Sequence, residues 1–375
     1  MQLTMLWMQL TAGGIEGAGL SCYDFYKKKR LLSVWRGQPI LNREERYEEM
    51  NIIEVENLTK RYGSCTAVDH ISFRVEKGSL LGFLGVNGAG KTTTINMLST
   101  LLSPDEGTAW ICGERLGSDD QEIRRKIGIV YQQNYLDDLL TVEENLLCRG
   151  IIHGASRPEA RTQLARLCSI LKLGDILKKK YKTLSGGQKR RCEIAAALMH
   201  TPKLLFLDEP TTGLDPMTRQ DVWNTVRALQ EEEKMTVFLT THYMEEAAGA
   251  DDIIVLDKGS IAAKGTPFEL KEQYVTDRLR LYFDSEKEEA LSDIVEDVLK
   301  KEKIKGSVRM ADSGIMEVSV PTTMDAVPLI CSVRQYLDGF EVIQGTMDDV
   351  FLNAVGHGTQ AGDMEKHVSN KKGCE

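Results

Sequence analysis

From Asn51 onward the chain alternates between short apolar runs and segments with helical spacing. Ile52–Val55, Ile71–Val75, Thr108–Cys112 and Ile127–Tyr131 read as strands. Leu80–Leu84, Lys203–Leu207, Thr236–Thr240 and Asp252–Leu256 are nearly continuous apolar runs. Runs of that kind suit strands buried on both faces, as in a parallel sheet covered by helices. Thr92–Leu101, Thr141–His153, Pro158–Leu171, Lys189–Met199 and Pro216–Gln230 carry the helical pattern. The last of these starts with Asp215 at the N-cap and Pro216 in the first turn. The chain is therefore α/β over about residues 50–273.

After Gln273 the rhythm changes. Arg278–Phe283, Gly306–Met310, Met316–Val320 and Phe340–Gln344 read as strands, with helices over Glu286–Lys303 and Met324–Leu337. This β-α-β-β-α-β order predicts a small α+β domain of ferredoxin-like type over 274–356. The polar stretch 357–375 reads as a disordered tail. Residues 1–49 have no sustained period, a basic knot at Lys27–Arg30 and a charged stretch at 42–49. They read as an N-terminal extension that is either disordered or a mis-assigned start, with Met50 as initiator; a short amphipathic segment on a membrane surface is the other reading.

The 375 residues suffice for about two domains, and 42% hydrophobic with 27% charged residues is ordinary for a globular protein. A net charge of −9 gives a nucleic-acid partner no electrostatic support. The 8 cysteines are scattered without a C-x-x-C pair or a nearby histidine at metal spacing, which fits a reduced, cytosolic protein. No run reaches the roughly 18–20 apolar residues of a membrane span, so any work at a membrane would need spans from another chain.

The densest chemical signal is Gly85 to Thr93, GVNGAGKTT. It fits G-x-x-x-x-G-K-[ST], follows the apolar run Leu80–Leu84 and opens a helix. Its glycines Gly85, Gly88 and Gly90, with Asn87, Ala89 and Thr93, offer backbone N–H groups to a phosphate chain, aided by the helix dipole. Lys91 would contact the β- and γ-phosphates of a nucleotide, and the Thr92 hydroxyl would ligate Mg²⁺. A second apolar strand ends in two carboxylates, Asp208 and Glu209. Asp208 is the candidate Mg²⁺ partner, and Glu209 the candidate base for the attacking water. Ser185, Gly186, Gly187 and Gln188 form another glycine-rich helix N-terminus, suited to a phosphate of a neighbouring subunit.

These motifs, in this order, resemble the ATP-binding subunit of ABC transporters over about Asn51–Gln273. The resemblance implies a P-loop ABC-type ATPase core with a helical subdomain, ahead of the small C-terminal domain. Walker A falls on Gly85–Thr92, the signature on Leu184–Gln188, Walker B on Leu204–Asp208 and the D-loop on Gly213–Asp215. The Q-loop glutamine falls on Gln132, with Gln133 beside it leaving the register arguable. By that resemblance Gln132 senses Mg²⁺ and the attacking water, and His242 touches the γ-phosphate. Tyr62 stacks on adenine (an aromatic after a strand is otherwise more often core), and Asp215 bridges two sites across a dimer. No ATPase position of the family is replaced. The stretch KRRCEIAAALMHTPKLLFLDEPTTGLDP and the segment Gly345–Leu352 resemble the drug- and antibiotic-export branch of daunorubicin-resistance type. The implied protein is a peripheral ATPase on the cytoplasmic face of a membrane. It dimerises on ATP and serves separate polytopic membrane subunits. The alternative is a soluble ABC-type ATPase acting on ribosomes or nucleic acid.

Overall fold

The structure, a computed structural model, describes residues 51–284 and 287–357. The expectations for residues 1–49, Met50 and 358–375 lie outside these residues. The described chain opens with two long strands, β1 (Asn51–Tyr62) and β2 (Cys65–Glu76), followed by β3 (Leu80–Leu84) and α1 (Lys91–Leu98). Next come β4 (Glu106–Ile111), β5 (Glu114–Arg115), α2 (Asp120–Lys126) and β6 (Ile127–Val130). Three helices, α3 (Val142–Ile152), α4 (Arg157–Ile170) and α5 (Gly186–Leu198), lead into β7 (Leu204–Asp208). Then follow α6 (Pro216–Glu233), β8 (Thr236–Thr241), the single turn α7 (Met244–Ala247), β9 (Asp252–Asp257), β10 (Ser260–Gly265) and α8 (Pro267–Tyr274). The C-terminal part is β11 (Asp277–Phe283), α9 (Glu288–Lys301), β12 (Val308–Asp312), β13 (Ile315–Val320), α10 (Ala326–Val333), β14 (Leu337–Ile343) and α11 (Met347–His357).

The central sheet has the order β10-β9-β3-β8-β7-β6, parallel except for the edge strand β10. Its strands β3, β7 and β8 are buried along their whole length, as their continuous apolar character requires. Alternate side chains divide into two cores. Phe83, Phe206 and Phe238 face the layer that contains Phe73. Leu84, Leu205, Leu207 and Leu239 face the helical side. The first layer is a separate antiparallel sheet, β2-β1-β4-β5. The sequence reading placed strands there without separating them from the parallel sheet. Their half-buried alternation is what distinguishes them, since one face packs and the other meets water.

The helical expectations hold with small shifts of the ends. Capping boxes at Thr141 with Glu144 and at Ser156 with Glu159 fix the starts of α3 and α4. The expected helix Met324–Leu337 is broken: α10 spans Ala326–Val333 between two 3₁₀ turns, and Leu337 already begins β14.

Strands β11–β14 form a third, antiparallel sheet in the order β12-β13-β11-β14, the split β-α-β pattern. Its inner face has its own core, in which Leu281, Met316 and Val318 meet Val295 of α9 and Leu329 of α10. The expectation that this accessory unit runs to residue 356 needs correction at its end. Helix α11 leaves the third sheet and packs on α7 and α8, so that Met347, Val350 and Ala354 are buried in the core beneath the central sheet. Their spacing makes one apolar stripe, which has a partner on α8 rather than on α9 or α10.

This packing predicts a contrast along α11. Met347→Ala should lower the free energy of urea unfolding by about 2–5 kcal/mol, whereas Leu352→Ala on the exposed face should stay within about 0.5 kcal/mol.

Candidate active site

The phosphate loop is built where buried β3 gives way to α1. Gly90 has φ of +105° and a Cβ there would sit 2.4 Å from the Ala67 carbonyl oxygen, so only glycine fits. Gly88 also has positive φ, with no atom within 4 Å of where its Cβ would lie, and Asn87 beside it is exposed. The tip of the loop is thus bare backbone, open to a close ligand. Ala89 is buried and its N–H donates to the Val86 carbonyl at 3.1 Å. The Lys91 ammonium folds back into its own loop, donating to the Gly85 carbonyl at 2.7 Å and the Val86 carbonyl at 3.2 Å. It also lies 3.3 Å from Oε1 of Glu209, with Lys91 only 4% exposed.

Parallel pairing of β7 with β8 sets the carboxylates beside this loop. Oδ1 of Asp208 accepts from the Thr240 hydroxyl at 2.7 Å and from the Thr92 hydroxyl at 3.5 Å. Burial pushes the Asp208 carboxyl above its ordinary value, against the pull of the Thr240 hydrogen bond. Glu209 is held at φ of +44°, a strained backbone for a residue with a side chain. The Thr240 carbonyl and hydroxyl accept its N–H at 3.1 and 3.0 Å. Around its carboxylate stand Lys91, the Thr212 hydroxyl at 3.1 Å, the Gln132 amide at 3.5 Å and Nδ1 of His242 at 3.3 Å. Burial alone would raise the Glu209 carboxyl, but Lys91, Thr212 and His242 outweigh it and hold it below the usual range.

The structure thus brings together Lys91, Thr92, Gln132, Asp208, Glu209 and His242. The loop residues Gly85–Gly90 and Thr93 adjoin them, with Gly85 accepting from Lys91, whereas among the described residues no hydrogen bond or ion pair joins Tyr62, Ser185–Gln188 or Asp215 to this group. Among the described residues no hydrogen bond or ion pair joins Ser185–Gln188 to the phosphate loop of the same chain. Ser185 caps α5 in a reciprocal box with Gln188. A Cβ on Gly187 would lie 2.1 Å from Cγ2 of Thr218, so the start of α5 sits directly on the start of α6. Asp215 caps α6 through the Thr218 N–H at 3.0 Å and its hydroxyl at 2.5 Å. Tyr62 ends β1 with 51% of its surface exposed, so it is not a core aromatic. Thr93 follows Thr92 on α1, half-buried.

The sequence reading missed Thr240, Thr212 and Arg190. Thr240 carried a signal, a hydroxyl at the end of the apolar run TVFLTT. Thr212 lies only three residues after its partner Glu209, in the turn that follows the two carboxylates. Arg190 carried no signal, because its partners are distant in the chain.

The geometry above agrees with what the chain is similar to. The sequence profile described as ABC transporter matches residues 68–212. A daunorubicin/doxorubicin resistance ATP-binding protein, DrrA of Streptomyces peucetius, is 39% identical over 85% of this chain and 97% of its own length. A linearmycin resistance ATP-binding protein of Bacillus subtilis is 43% identical over 58% of this chain and 70% of its own length. An ATP-binding cassette solved as a dimer in a post-hydrolysis state with ADP and Pi is 30% identical, covering 57% of this chain and 98% of its own, with a TM-score of 0.52.

The chain belongs to the ABC transporter family, as an ATP-binding subunit.

As an ABC subunit it is an ATPase, its nucleotide is ATP with Mg²⁺, and it works with membrane subunits. No helix among the described residues is long and apolar enough to cross a membrane. The site fits the ion. The Thr92 and Asp208 oxygens converge at 3.5 Å beside an open glycine loop, and Mg²⁺ takes oxygen ligands of this kind while keeping several waters. Removing the short hydrogen bond on the buried Asp208 should be costly. Thr240→Val should destabilise the ABC subunit by about 1–3 kcal/mol in urea unfolding, since it leaves a buried carboxylate short of a donor.

Proposed function

We propose that this subunit powers export of a drug- or antibiotic-type substrate through separate membrane subunits, from the cytoplasmic face. The observation that carries this reading is the likeness to the S. peucetius resistance protein along 97% of that protein's length, which takes in the C-terminal region beyond the ATPase motifs. The relatives carry names as different as linearmycin resistance and Nod factor export, and in this reading the membrane subunits set the substrate. The relatives named here give no support to a soluble ATPase acting on ribosomes or nucleic acid.

In this reading two copies close head to tail around two ATPs. The loop Gly85–Thr93, with Lys91 and the N-terminus of α1, holds the phosphates. Tyr62 stacks on adenine, which is worth about 1–3 kcal/mol per base. Thr92, Asp208 and Gln132 would hold Mg²⁺, which would neutralise charge on the phosphates when bound. Glu209, with the Thr212 hydroxyl and His242 beside its carboxylate, orients and deprotonates the attacking water. For that role Lys91 must leave Glu209 and turn to the phosphates, so nucleotide binding itself frees the base. His242 reports the γ-phosphate. Ser185–Gln188 and Asp215, which stand apart from their own chain's loop, complete the site of the partner copy. ATP stabilises the closed dimer because it binds that state preferentially.

Movement passes to the membrane subunits at a cavity of about 400 Å³ beside Gln132, lined by Arg124, Tyr131, Tyr135, Arg149, His153 and His200. The third sheet with α9 and α10 has no catalytic constellation and serves as a regulatory or partner contact. Tagged subunit drawn from detergent-solubilised native membranes should carry a stoichiometric multi-span protein; a preparation with only soluble partners would overturn the transport reading. Glu209→Gln should bind ATP and accumulate as a closed dimer on gel filtration while turnover falls by about 10²-fold or more. Lys91→Ala should weaken ATP binding at least about tenfold by calorimetry, a loss of about 1.4 kcal/mol or more.

A further inference from the structure

Helix α5 has its N-terminal turn at the signature, yet the residues that fasten it lie one turn further on and reach the other way. Arg190 is 4% exposed and donates to three backbone carbonyls. Its Nη1 reaches Tyr131 O at 2.5 Å, the residue before Gln132. Its Nη2 and Nε reach Glu209 O at 3.0 Å and Pro210 O at 2.6 Å. Glu193, one turn along the same helix, is 8% exposed. Its Oε1 accepts from Tyr135 N at 2.8 Å, Leu136 N at 3.1 Å and the Tyr181 hydroxyl at 2.8 Å.

Two buried charges on one helix therefore grip both ends of the segment Tyr131–Leu136. Between the grips Gln132, Gln133 and Asn134 are exposed. One of the two charges also holds the strained backbone of Glu209. Burying a guanidinium and a carboxylate is expensive unless they are well hydrogen-bonded; here all three nitrogens of Arg190 donate, and Oε1 of Glu193 accepts three times.

We propose that Arg190 and Glu193 are positioning residues that couple the two ATP sites of the dimer, by making the signature turn of α5 move as one body with Gln132 and Glu209 of its own chain. The inference rests on the head-to-tail dimer proposed above. In such a dimer the start of α5 faces the partner's nucleotide, while Gln132 and Glu209 face the chain's own. A rigid bolt between them transmits the state of one site to the other. A flexible joint leaves each site able to bind ATP but unable to sense its partner. Free-energy coupling of this kind appears as cooperativity in turnover.

The test uses the purified full chain and its ATPase rate against ATP concentration. The unaltered protein should show a Hill coefficient approaching 2, the number of sites. Arg190→Lys, which can reach only one of the three carbonyls, should bring the coefficient toward 1 and lower kcat by about tenfold. ATP affinity by calorimetry should stay within about twofold, because the phosphate loop is untouched. Glu193→Ala should act in the same way, and Glu193→Gln, which keeps an acceptor oxygen, should restore cooperativity. The proposal is overturned by a non-cooperative unaltered protein, by an Arg190→Lys variant that keeps the original coefficient, or by a Glu193→Gln variant as damaged as Glu193→Ala. Loss of ATP affinity equal to the loss of kcat would show a merely structural role and overturn it too. Sedimentation of Glu209→Gln with ATP separates the two levels: a monomer there defeats the head-to-tail dimer itself, while a dimer with unchanged cooperativity in Arg190→Lys defeats only the coupling.

Discussion

Two carboxylates side by side at the buried end of a strand are the constraint that the rest of this structure answers. Asp208 and Glu209 repel each other and lose hydration, so each needs compensation from elsewhere in the fold. Asp208 takes hydroxyls from Thr240 and Thr92, and burial still raises its carboxyl. Glu209 takes the Lys91 ammonium and stays ionised. The compensating groups come from β8, from α1 and from the loop after β7, which only a parallel sheet with short crossovers brings to one edge. The ion pair of Lys91 with Glu209 serves two ends. It keeps both charges stable without nucleotide, and it gives incoming phosphates a reason to separate them.

The same logic extends outward through α5 and α6. Their N-termini are in contact through Gly187 and Thr218, so the signature and the D-loop behave as one surface. Arg190 ties that surface back to the turn after β7. On the far side, α7 follows His242 and is held from two directions. The Glu246 carboxylate accepts the hydroxyls of Thr211 and Thr241, and Glu245 accepts the Met347 N–H at the start of α11. Helix α11 is thus a clasp between the third sheet and the ATPase core. Gly345, just before it, donates to Asp277 at the start of β11.

Much of this was legible without coordinates. The glycine pattern and Lys91, the paired carboxylates after an apolar run, and the second glycine-rich helix start are local signals, because phosphate binding uses consecutive backbone N–H groups and the chemistry is written in neighbouring residues. Continuous apolar runs also marked the buried strands of the central sheet, since burial on both faces leaves a direct trace in composition, whereas the edge strand β10 and the two-residue β5 went unmarked. His242 was a weak signal by itself and was singled out only by its place in a series of motifs.

What tertiary structure decided were the pairings between distant segments. The sequence reading did not separate β1, β2, β4 and β5 from the parallel sheet: alternation hints at a face open to water, but which strands pair depends on which edges meet. It could not find Thr240 under Asp208 or Arg190 beneath Glu209, each about one motif away along the chain but in direct contact across the sheet. It assigned α11 to the accessory unit by proximity in sequence, whereas an apolar stripe packs wherever a complementary face is free, here on α8. The sequence by itself determined the chemistry, since that depends on residue types at short spacing. The fold alone determined how that chemistry is held, since buried charges find their partners in space rather than along the chain.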